Sequence, residues 1–111
     1  MSDATPLGII QPTPGNPTRL TINFPEYQSE SVNTIILQVL PGNLGDVYFG
    51  RENMNKVTGV GVIYILRPPT ANYLPDLAYN IPGSMNPFLI GVYRVDCDTL
   101  NDGVRPSFIQ L

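Results

Sequence analysis

Twelve prolines and ten glycines interrupt the 111 residues of this chain, and four of the prolines fall within the first seventeen positions. Proline inside a helix removes an amide donor and clashes with the preceding turn, and glycine weakens helix wherever it sits. No window reads as an amphipathic helix, so the body is expected to be β. Histidine is absent, which removes the most frequent general base and metal ligand. The expected role is therefore not catalytic, and no cofactor is expected.

A chain of this length buries a proper core as one domain. Charged residues make up 14% of it, against about 25% in an average globular protein. A surface so poor in charge is expected to be partly covered by protein in the working state. The net charge is −3, with six basic residues scattered singly from Arg19 to Arg105. Without a basic stripe for phosphates, nucleic acid is not an expected partner. The lone Cys97 cannot close an intrachain disulfide, and no charged segment followed by an apolar one marks a signal peptide. The longest apolar stretch, Val57 to Leu66, is too short and glycine-broken to span a bilayer. The expectation is a soluble chain made in a cytoplasm, without a membrane partner.

Residues 1–17 read as an arm and residues 18–111 as a single β domain. Prolines bias themselves and the residues before them to extended or polyproline backbone. At about 3.1 Å per residue the arm would reach roughly 50 Å; composition equally admits a disordered tail. Its apolar and proline positions Leu7, Ile9, Ile10, Pro12 and Pro14 are candidate partner-binding residues, suited to docking on another subunit.

In the body, Thr18 to Phe24 alternates, placing Leu20, Ile22 and Phe24 on one face of a strand that Pro25 ends. Val32 to Leu40 is β-branched, with Ile35, Leu37 and Val39 facing one way, and Pro41, Gly42 and Asn43 turn the chain. A brief run through Val47, Tyr48 and Phe49 leads to a polar loop from Arg51 to Lys56. Val57 to Arg67 reads as a strand whose glycines, 59 and 61, suggest a bulge. Phe88 to Asp96 and Val104 to Leu111 read as a closing hairpin around Asn101, Asp102 and Gly103. The chain stops in strand pattern, so the arm is expected to be its one reaching terminus.

Between those strands, residues 68–87 carry five prolines with Tyr73, Leu74, Leu77, Tyr79, Ile81 and Met85. A twenty-residue loop needs a task. It either folds over an open end of the domain or presents these residues to a neighbouring subunit, where rigid prolines lower the cost of ordering.

Catalytic and metal constellations are missing. Histidine-based triads cannot be built, and zinc lacks ligands. Asp96, Asp98 and Asp102 before Gly103 resemble a calcium loop superficially, but Ser107 stands where the bidentate Glu belongs. The glycines of GVGVIY lack the Lys and helix of a phosphate loop. Cys97 reads as a small buried residue rather than a nucleophile.

The stretches LQVLPGNLGDVYFGRENMNKVTGVGVIYILRPP and FLIGVYRVDCDTLNDGVRPSFIQL resemble small tailed-bacteriophage virion proteins. In that pattern a strand passes through a Gly-Asn turn into a VY-[IVLF]-G strand, a polar loop, a proline-bearing segment and a final hairpin. The resemblance covers Val32 to Leu111. It implies an all-β domain, a small β-sandwich or barrel-like antiparallel body here preceded by the Pro-rich arm, without an active site. It further implies a virion location and a role in capsid decoration (cement). The partners would be the major capsid protein or other virion subunits, and the chain would form a homo-oligomer, a trimer or dimer. The long Tyr-rich loop and the arm depart from the pattern. A neck, tail or fibre-base component is the alternative within that class. A carbohydrate-binding module using Tyr73 and Tyr79 is the alternative outside it, weakened by the absence of Trp.

Overall fold

The β-branched segment in the middle of the chain forms a strand over Thr34–Val39 with Ile35, Leu37 and Val39 buried, as its alternation requires. The structure is a computed structural model that describes residues 4–30, 32–70, 76–81 and 89–110. Its strands are β1 (Thr5–Pro6), β2 (Thr18–Arg19), β3 (Thr34–Val39), β4 (Val47–Arg51), β5 (Val62–Leu66), β6 (Asp76–Asn80), β7 (Tyr93–Cys97) and β8 (Val104–Ile109). They make two four-stranded antiparallel sheets, ordered β1-β8-β3-β6 and β2-β7-β4-β5. The domain is all-β, with short 3-10 turns at Pro25–Tyr27 and Ile90–Val92. Ile35, Leu37 and Phe108 of the first sheet share one buried cluster with Val47, Phe49, Tyr93 and Val95 of the second. Tyr79 of β6 bridges the sheets edge-on, with ring centroids 5.5 Å from Phe49 and 6.1 Å from Tyr93.

The expected closing hairpin does not form. β7 pairs with β2 and β4, whereas β8 pairs with β1 and β3 in the other sheet. Asn101 does adopt the left-handed conformation (φ 75°), but the turn carries the chain across the domain. A second crossing, from β3 to β4, lies beside it and holds it. The Asn43 side chain accepts from Gly103 N and donates to Gly103 O, both at 2.9 Å. Asp102 accepts from Leu44 N and from Gly45 N at 2.7 Å.

Other strands are shorter than their patterns. Beyond β2, hydrogen bonds from Ile22 N to Arg19 O and from Phe24 N to Thr21 O curl the chain into turns. Leu20 is buried but Ile22 and Phe24 are exposed. Gly59 and Gly61 are not bulge residues within a strand; both have positive φ and shape a loop that ends at Val62. The irregularity falls instead at Ile63, where Phe49 pairs with Tyr64 but Gly50 with Val62. Residues 90–92 of the expected Phe88 to Asp96 strand form a 3-10 turn. Inside the 68–87 segment, Asp76–Asn80 is a regular edge strand on β3, not loop.

The largest departure is the arm, which packs against its own body. Thr5 and Pro6 pair with Phe108 and Ser107, and Leu7 N donates to Pro106 O at 2.9 Å. Pro106 has no amide to return, and at Gly8 the chain turns out with φ 76°. It comes back at Ile10, which exchanges two 3.0 Å backbone bonds with Val104. Leu7, Ile10 and Pro12 are buried. An arm reaching roughly 50 Å would exceed the longest extent of the fold, 34 Å. Burying two large apolar side chains, at about 1.5–3 kcal/mol each, favours the docked path over a solvated one.

Candidate functional site

Three of the residues expected to bind a partner are thus spent on the chain's own core: Leu7, Ile10 and Pro12. Ile9 remains 48% exposed and Pro14 is half-buried. Leu77, Tyr79 and Ile81 are half-buried and pack against the core. β6 places Leu77 opposite Leu37 and Tyr79 opposite Ile35, so these side chains face inward. Tyr73, Leu74 and Met85 lie outside the described residues. Among the described residues the expected arm-and-loop surface is therefore not assembled as one site.

Among the described residues the largest apolar exposures lie elsewhere, on the connections between sheets and strands. Val57 is 87% exposed, Leu44 79%, Leu100 63% and Val60 54%. Single exposed apolar residues are ordinary, but these four sit on loops that are internally braced. Asp102 holds the amides of Leu44 and Gly45, while Asp102 N donates to Thr99 O to close the turn carrying Leu100. The two loops are in contact, since a Cβ on Gly45 would lie 2.7 Å from Thr99 Oγ1. In the β4–β5 loop the Asn55 side chain accepts from Val57 N and Thr58 N, and Asn55 N donates to Val60 O at 2.8 Å. Met54 of the same loop is buried over Gly50. Leu44, between Asn43 and Gly45, Val60, between Gly59 and Gly61, and Leu100, before Asn101, carried a turn signal in the sequence, whereas Val57 did not.

A polar network joins these loops. Lys56 pairs with Asp98 at 3.2 Å and also donates to Cys97 O; Tyr48 donates to Asp98 Oδ2 at 2.8 Å. Desolvation, then the Asp98 hydrogen bond and charge, push the Tyr48 phenol up to about 12. The three aspartates of the DCDTLNDG segment are dispersed. Asp96 is buried and accepts from Gly15 N and Cys97 N, Asp102 binds the β3–β4 crossing, and Asp98 faces Lys56. Among the described residues no group of three or more acidic or cysteine side chains is placed to hold a metal. Cys97 is buried, and desolvation followed by the charges of Asp96 and Asp102 raises its thiol pKa. That environment disfavours the thiolate a nucleophile needs.

No protein-family model, curated protein or solved structure matches this chain significantly.

Proposed function

We propose that this chain is a structural subunit without catalytic activity, a small β-sandwich that acts by docking its loop tips on neighbouring protein, and that its role is capsid decoration. The observation that carries this reading is the set of braced apolar tips at Leu44, Leu100, Val57 and Val60. Loops already fixed by their own hydrogen bonds lose little conformational entropy on contact, so their apolar side chains contribute more of their burial to binding. A surface with few charges fits the same use. The virion role itself draws on the resemblance of Val32 to Leu111 to small tailed-phage proteins.

The test uses shells assembled from the capsid protein of the same genome, prepared without this chain and then incubated with it and sedimented. Wild-type protein is expected to saturate at hundreds of copies per shell and to raise shell thermal stability. Leu44→Asp and Leu100→Asp, both on exposed positions, should weaken occupancy roughly tenfold or more, because each places a charge where an apolar contact forms. A dozen or fewer copies per particle would move the chain to a neck, tail or fibre-base position. Unchanged occupancy with both variants would remove the loop tips from the mechanism.

A further inference from the structure

β2 and β7 set Arg19 and Arg94 directly opposite each other. Tyr93 and Val95 on either side of Arg94 are buried in the core, so strand alternation turns both arginines to the outer face of the second sheet. Like charges at opposed positions destabilise a sheet, and the chain has only six basic residues to distribute. Uncharged oxygens hold the two guanidinium groups. Arg94 Nη1 donates to Gly91 O at 2.6 Å, and Arg19 Nη1 donates to Gln28 Oε1 at 3.3 Å. Lys56 and Arg67 are paired with aspartates, at 3.2 Å and 2.6 Å.

Across β7 from Arg19, the strand neighbour of Arg94 is Gly50, over which Met54 Sδ and Gly61 O pack closely. The β4–β5 loop rises beside it through Met54 and Gly61, and the turns holding Gln28 and Gly91 meet on the other side. Burial is the main cause lowering the Arg94 pKa, followed by the Arg19 charge; Glu52 acts in the opposite sense. At Arg94 the Arg19 charge therefore outweighs that of Glu52, although the chain as a whole is acidic.

From this geometry we infer that Arg19 and Arg94 form a carboxylate-binding site that receives an acidic side chain from a protein partner. Two planar guanidinium groups side by side match the two oxygens of a carboxylate, and the bound charge removes the repulsion that the empty pair sustains. A long polyanion is disfavoured by the net charge of −3. The site is separate from the apolar loop tips and stands whether or not the chain decorates a capsid.

The full chain, labelled with 15N, is titrated with a capped Leu-Asp-Glu-Leu peptide, with its Leu-Asn-Gln-Leu isostere and with inorganic phosphate, while the arginine Nε–Hε signals are followed. The acidic peptide is expected to shift the Arg19 and Arg94 signals saturably, and the isostere to leave them in place. Arg94→Gln and Arg19→Gln should each weaken peptide binding roughly tenfold or more. Arg19→Gln, on the exposed member, should leave the melting temperature unchanged or raise it. Saturation by phosphate alone, equal binding of the isostere, or Arg19→Gln melting lower with peptide binding intact would each overturn the assignment.

Discussion

Replacing Leu7 with Ala tests whether the first seventeen residues belong to the core. Leu7 is fully buried and bonded through its amide to Pro106. Truncating a buried Leu to Ala costs about 2–5 kcal/mol, the spread reflecting how far the site collapses. The neighbouring Gly8 backbone turn limits collapse, while the short β1 strand permits some, so about 3 kcal/mol is the working value. With roughly 2.1 cal/mol/K per residue of unfolding entropy, the 111-residue chain loses about 13 °C of melting temperature. Ile9, two positions on and 48% exposed, is the internal control: Ile9→Ala should cost under about 0.5 kcal/mol, or about 2 °C. Thermal and urea unfolding followed by circular dichroism read both. Deleting residues 1–17 removes Leu7, Ile10 and Pro12 together and should abolish cooperative unfolding, since the whole stability of such a chain is about 6–17 kcal/mol. If Leu7→Ala melts within about 3 °C of wild type and the truncated chain still unfolds cooperatively, the arm is not part of the core.

Three further substitutions probe the joints of the fold. In Gly103→Ala the new Cβ would lie 2.0 Å from Ile10 O, so urea denaturation should show a loss of about 1–3 kcal/mol or more as arm and β8 separate. Asp102→Ala strips the acceptor from Leu44 N and Gly45 N and should cost about 2–4 kcal/mol, with faster amide hydrogen exchange at both positions. Burial, then Tyr79, pushes the Tyr93 phenol up to about 12. A raised folded pKa means this stabilisation is complete below the unfolded value of about 10 and is lost as pH climbs from there through about 12, at most about 2.7 kcal/mol. Denaturant titrations across that window should therefore show a decline that Tyr93→Phe flattens; an equally steep decline in Tyr93→Phe would assign it to other groups, Tyr48 first.

The segments read correctly in the sequence are those whose pattern is local. In Ile35, Leu37 and Val39 the alternation and the β-branching agree, and Pro41 to Asn43 turn the chain as expected. Tyr79 and its neighbours Leu77 and Ile81 alternate in the same way, but the surrounding prolines outweighed that signal and hid β6. Sheet partnership is not local. Nothing between Cys97 and Val104 distinguishes a hairpin from a crossing, because what decides it is Asp102 and Gly103 meeting Leu44, Gly45 and Asn43, about sixty positions away. The arm failed to read for a similar reason. Proline favours extended backbone whether the segment is solvated or docked, and only Leu7, Ile9 and Ile10 amid those prolines hinted at a core to enter.

Docking of the arm also changes how its deletion would be interpreted. An assembly that loses this subunit when residues 1–17 are removed need not have been gripped by the arm, since the same truncation takes Leu7 and Ile10 out of the core. The prolines at 12 and 106 fit a fastening role rather than a reaching one. Pro12 is buried with its carbonyl accepting from the Cys97 thiol, and Pro106 turns its missing donor toward the arm at the point where Gly8 swings outward. In the proposed docking role, contact with neighbours then falls to side chains that can be changed without disturbing the core. Leu44→Asp and Leu100→Asp meet that condition: both positions project from loops whose backbone is held by Asp102 and not by the leucines themselves. An effect on assembly with an unaltered melt at those two positions separates docking from folding, which no truncation of the arm can do.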